Sequence, residues 1–145
     1  MRLQPEWDSI DPLRHYTLLH ATQHFGKDTG ARVALVAHEL LENAVKYGMP
    51  GVDIQLEVRF PTSGHGFEVR VSNEAVASRG ELLRRELERL MSMEAAPAYI
   101  DAIRRTRRLV TGSCGIGLAR IRSEVGVELS VENEGARLTV VASTD

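Results

Sequence analysis

Glu39 and Asn43 stand four residues apart in a stretch of helical periodicity, so their side chains leave one helix face a turn apart. A carboxylate beside a carboxamide suits an oxygen-coordinated Mg²⁺ and a base for a hydroxyl or water. The pair flanks the apolar stripe of Leu40, Ala44 and Tyr47, where the helix meets a sheet or a ligand. Gly112, Gly115 and Gly117 precede a further helical stretch. Glycines let backbone approach an anion, and the unpaired N–H groups of a helix start can bind phosphate. The spacing GxxGxG after a helix is not the dinucleotide fingerprint, and no Lys-Ser/Thr follows to make a P-loop. Asn73 ends a strand-like run and offers an amide at a sheet edge. Taken singly, each feature also reads as ordinary structure: a polar pair on a helix, a plain turn, a strand-end asparagine.

Two other constellations carry no chemistry. His38-Glu39-Leu40-Leu41-Glu42 imitates a zincin helix, but Glu42 stands where a second histidine is required. Cys114 has no histidine fixed beside it by sequence and reads as a small lining residue.

The elements that must position these residues follow from periodicity. Asp11 to Phe25 reads as a helix capped by Asp11, with Pro12 in its first turn and Gly26 at its end. Thr29 to Tyr47 is a clearer helix, stopped by Gly48 and Pro50. Val52, Ile54, Leu56, Val58 and Phe60 alternate with polar residues, as do Phe67, Val69 and Val71, which predicts an antiparallel hairpin. Gly80 to Met93 and Pro97 to Val110 read as two helices. The glycine turn opens a short helix bearing Leu118, Ile121 and Val125, and a second hairpin closes around Asn133-Glu134-Gly135. This order predicts an α+β fold: a two-layer α/β sandwich with a mixed, mostly antiparallel sheet and helices on one face.

Composition bounds the rest. The 145 residues, 43% of them apolar, fit one domain spanning 1–145. A net charge of −2 gives no reason to expect nucleic acid or an anionic membrane as partner. No apolar run reaches the roughly eighteen residues of a membrane span, and the first residues lack a signal-peptide layout, so the expectation is a cytoplasmic protein. One cysteine excludes an internal disulfide. Sixteen of the eighteen basic residues are arginine, and eight of these lie between Arg79 and Arg108. They read either as a solvated face or as a surface for phosphates or an acidic partner.

Together the motifs bring a family into view. His38 to Gly48, HELLENAVKYG, resembles the N-box of the GHKL ATPase superfamily (gyrase, heat-shock chaperone, histidine kinase and MutL types). Val71-Ser72-Asn73 stands where that family carries its DxGxG box, and GSCGIGLARI, from Gly112 to Ile121, is similar to its GxGLGL box. The chain is most similar to the small anti-sigma-factor serine kinases of bacterial partner switching. The resemblance implies the histidine kinase-like ATPase fold, with ATP and Mg²⁺ as cofactors. It implies Glu39 as the acid that activates the acceptor hydroxyl, Asn43 as the Mg²⁺ ligand and Asn73 as acceptor for the adenine amino group. Lys46, Gly112, Gly115, Gly117 and Leu118 would complete the nucleotide contacts. Residues 74–111 would be a helical lid, docked weakly on the core. The partner would be a small STAS-domain antagonist protein, and residues 8–25 could pair two copies as a homodimer. The sequence departs from the family at Asn73-Glu74-Ala75-Val76-Ala77, which keeps neither glycine of DxGxG and adds Cβ atoms at Ala75 and Ala77. That departure leaves a second reading open, a regulatory module that sequesters a partner without turning over ATP.

Overall fold

The computed structural model describes residues 1–3, 6–62, 64–108 and 116–145. Strand β1 (Arg2–Leu3) is followed by a 3-10 turn at Trp7–Ser9, α1 (Ile10–Phe25) and α2 (Lys27–Tyr47). The antiparallel pair β2 (Ile54–Arg59) and β3 (Glu68–Glu74) comes next, then α3 (Ala77–Met91), α4 (Ala95–Arg108) and α5 (Ile116–Val125). Strands β4 (Glu128–Glu134) and β5 (Arg137–Ser143) end the chain.

The sheet order is β1-β2-β3-β5-β4, and every pairing is antiparallel. After α5 the chain runs out along the sheet edge as β4 and returns as β5 between β4 and β3. Register sets the two faces. Ile54, Leu56, Val69, Val71, Leu138, Val140 and Ala142 turn inward and are buried. The other face is polar and laced by Arg59–Glu57, Arg70–Glu68, Arg70–Glu132 and the Ser72–Thr139 hydroxyl pair. One wet face and one packed face is how an antiparallel sheet in a two-layer fold resolves its alternation. The expected α+β sandwich is therefore what forms, with the helices packed on one face.

Local chemistry explains the helix ends. Between α1 and α2, Gly26 takes φ +90°, a conformation that favours glycine, and its N–H donates to the Thr22 carbonyl at 3.0 Å. At the crossing of those helices Gly30 abuts Thr22, since a Cβ there would stand 2.2 Å from Thr22 Oγ1. Helix α1 begins at Ile10, with Asp11 in its first turn rather than capping it. There the carboxylate still complements the helix dipole. Pro97 falls in the first turn of α4, where its missing N–H costs nothing.

The segment expected to dock weakly is fastened to the core. Leu83 and Leu87 are each 2% exposed, Leu90 and Ala98 are fully covered, and all four join the common hydrophobic cluster. The small Ala98 and Ala102 let α4 approach closely, so an apolar stripe that looks thin in sequence buries well. Among the described residues no helix is long and apolar enough to cross a membrane.

Candidate functional site

Helix α2 carries the candidate site, since two polar residues, Glu39 and Asn43, lie on its buried face. Glu39 and Asn43 are only 7% and 8% exposed, among neighbours such as Val36, Leu40 and Ala44 that belong to the core. A buried carboxylate is costly unless something compensates it. Helix α5 lies against it and offsets only part of that cost. A Cβ at Gly117 would lie 2.0 Å from Glu39 Oε2, so the carboxylate rests directly on the backbone of the helix start. Arg120 Nη1 stands 3.6 Å from Glu39 Oε1, and Arg120 Nε donates to Glu124 at 3.2 Å.

Burial pushes the Glu39 carboxyl above its ordinary value, and the nearby Glu42 adds to that shift. His38 and Arg120 pull it back, while Glu124 raises it further. His38 Nε2 also meets Glu42 at 3.2 Å. A carboxylate held above its usual range is a stronger base than a solvated one, which suits proton abstraction from a hydroxyl near neutral pH. Asn43, one turn further along α2, brings a buried amide to the same side. A carbonyl oxygen beside a carboxylate is the kind of oxygen set that holds Mg²⁺ when phosphates supply further ligands. Among the described residues no group of three or more His, Cys, Asp or Glu side chains gathers as a metal cage.

Asn73 sits at the other end of α2. Its Nδ2 donates to the Ala44 carbonyl at 3.1 Å, and Gly48 N–H donates to the same oxygen at 2.8 Å. Arg79, in the first turn of α3, donates to the Lys46 carbonyl at 3.1 Å. These donors satisfy carbonyls that the last turn of a helix leaves without partners. Gly48 is needed for the close approach, because a Cβ there would stand 2.7 Å from Asn73 Nδ2. With Nδ2 engaged, the carbonyl oxygen is the polar atom of Asn73 that remains for an outside donor. An aspartate could not donate to Ala44 at all. Asn73 also borders a polar cleft of about 480 Å³, together with Gly51, Asp53, Gln55 and Arg137.

The remaining sequence candidates divide. Lys46 lies at the end of α2, its ammonium 6.0 Å from the centre of the Tyr47 ring. Leu118 is fully covered and its side chain belongs to the core, so only its backbone could face a ligand. Ala75 is likewise buried in the core, whereas Ala77 opens α3 on the surface. Gly112, Gly115 and Cys114 lie outside the described residues. Arg120 and Glu124 were missed by sequence reasoning, although their four-residue spacing on one helix was the available signal.

No protein-family model matches the chain, and no curated protein does. Among solved structures, it is similar to a chain of the crystal structure of the SiaB-SiaC complex from Pseudomonas aeruginosa. The TM-score is 0.69 at 19% identity, over 99% of this chain and 87% of the other. At that identity the likeness is one of fold.

Proposed function

We propose that the chain is an ATP- and Mg²⁺-dependent protein serine/threonine kinase of a bacterial partner-switching pathway, built on the GHKL ATPase plan. The observation that carries this reading is the contact of Glu39 with Gly117. It joins the acid of the first motif to the glycine start of the third, positions 78 residues apart in sequence. Glu39 takes the proton of the acceptor hydroxyl, and its raised basicity serves that step. Asn43 holds Mg²⁺, Asn73 offers its carbonyl oxygen to the adenine amino group, and the start of α5 faces the phosphates. Lys46 and the backbone of Leu118 would complete the nucleotide contacts. Bound Mg²⁺–ATP supplies the transferable phosphoryl group. The acceptor is a small protein partner of STAS type. A fold shared with a chain solved in a two-protein complex supports a partner protein.

A second reading, a partner-sequestering module without turnover, draws on Asn73 and Ala75. The amide of Asn73 is committed to closing α2, and Ala75 stands where the family keeps glycine. Calorimetric titration with Mg²⁺–ATP, followed by a phosphoryl-transfer assay on the partner, separates the two. The kinase reading expects heat of binding in wild type and in Glu39→Gln, weaker Mg²⁺-dependent binding in Asn43→Ala, and transfer reduced on the order of a hundredfold or more in Glu39→Gln. Partner binding with no nucleotide heat would favour the sequestering module.

A further inference from the structure

We infer that Arg120, oriented by Glu124, is a positioning residue for the Glu39 carboxylate. The inference rests on Glu39 being the base of the site and adds what holds it in place. The two oxygens of Glu39 have different neighbours. Oε2 is pressed on Gly117, and Oε1 faces Arg120 Nη1 at 3.6 Å. Both neighbours belong to α5, so one helix sets where the carboxylate sits and how it is turned.

Arg120 suits this task by its shape. Its Nε is engaged by Glu124 Oε2 at 3.2 Å, which orients the planar guanidinium and presents Nη1 toward Glu39. A planar fork can serve two carboxylates from different edges, and a lysine ammonium is a point charge on a flexible stem. As a stabilising device the arrangement counts for little. The side chains of Arg120 and Glu124 are 42% and 45% exposed, and solvent-exposed ion pairs contribute about 0–1 kcal/mol. Orientation is a different matter, because misplacing a catalytic group by about 1 Å can slow a reaction roughly a hundredfold. The titratable and charged groups that bear on Glu39 are His38 and Glu42 on its own helix and Arg120 and Glu124 on α5. Among the described residues, Arg120 is the cation that approaches an oxygen of Glu39 from outside α2.

The test uses the whole chain with Arg120→Gln, Arg120→Lys and Glu124→Gln. In the transfer assay, Arg120→Gln is expected to lower kcat about tenfold or more while KM for ATP stays within about twofold. Arg120→Lys should recover only part of the loss, and Glu124→Gln should fall between wild type and Arg120→Gln. Melting temperatures should differ little among the variants. A second arm needs no turnover. In the nucleotide-free protein, Glu39→Gln should shift the Arg120 Nε–H resonance in a ¹⁵N correlation spectrum. If Glu39→Gln leaves transfer unchanged, the kinase reading fails and the spectrum alone decides the positioning claim. Wild-type kcat in Arg120→Gln, full rescue by lysine, or an unmoved Arg120 resonance overturns the inference.

Discussion

The corner around Glu39 and the surface of α3 and α4 use charge in opposite ways. On α3, Glu81 is paired with both Arg84 and Arg85, and those arginines hold its carboxyl below the ordinary range. Arg89 bridges Glu86 and Asp101, and Arg105 reaches Glu86 at 3.5 Å, so these arginines are answered by acids of the same two helices. At Glu39 a single acid is withdrawn from water, shares one arginine with Glu124 and is pushed upward. Charge density marks the first region in the sequence, and desolvation of one group marks the second. Chemistry is better served by the second, because an acid surrounded by paired cations and water has no reason to take a proton near neutral pH.

The contrast breaks most visibly at glycine. Gly117→Ala places a Cβ where Glu39 Oε2 lies, at 2.0 Å, and the carboxylate must move or the helices must part. Overpacking of that kind typically costs about 1–3 kcal/mol, and here it also displaces the proposed base, so the proposed kinase activity should be lost along with stability. Gly80→Ala, on α3, is the control. The nearest atom to its added Cβ is Leu138 Cδ1 at 3.9 Å, an ordinary contact. Gly to Ala inside a helix usually gains roughly 0.5–1 kcal/mol, so this variant should melt at or above wild type with function intact. Denaturant titration of the two variants checks both. If Gly117→Ala is as benign as Gly80→Ala, Glu39 is not wedged on α5.

Much of this is legible in the sequence alone. Strong periodicity gave α2, the two hairpins and the polar pair on α2, because burial on one face imposes a repeat that sequence preserves. Strand β1 was not legible, since two residues carry no period. The depth of α3 and α4 was underestimated because alanines such as Ala98 and Ala102 add little to an apolar stripe yet permit close packing. The double duty of Asn73 was also hidden, because capping α2 is a contact across 29 residues that no local pattern records.

A smaller effect is expected on the arginine face. Arg104 and Arg105 are exposed on α4, and Arg105 makes a long contact to Glu86. Replacing both by Glu should leave the melting temperature nearly unchanged, since exposed pairs contribute about 0–1 kcal/mol. If residues 74–111 act as a lid whose cations meet phosphates or an acidic partner, affinity falls and its salt dependence flattens. Binding measured across ionic strength reads this directly. Affinity unchanged at every salt concentration would make the face a solvated surface, and the contrast with Glu39 would then be complete.

The claim on which the rest depends is that Glu39 is an acid held out of water, and carboxyl-detected NMR titration of Glu39 beside Glu81 measures it. Glu39 should titrate above the ordinary glutamate range and Glu81 below it. The linked stability has a fixed sign. Between the ordinary value and the raised one the folded chain binds more protons at Glu39 than the unfolded chain does. Stability is therefore lost as pH rises through that window, and Glu39→Gln, which carries no charge, should gain on wild type across it and hold that gain above it. Glu39 titrating at or below the ordinary range, with Glu39→Gln no more stable than wild type at neutral pH, would contradict the account.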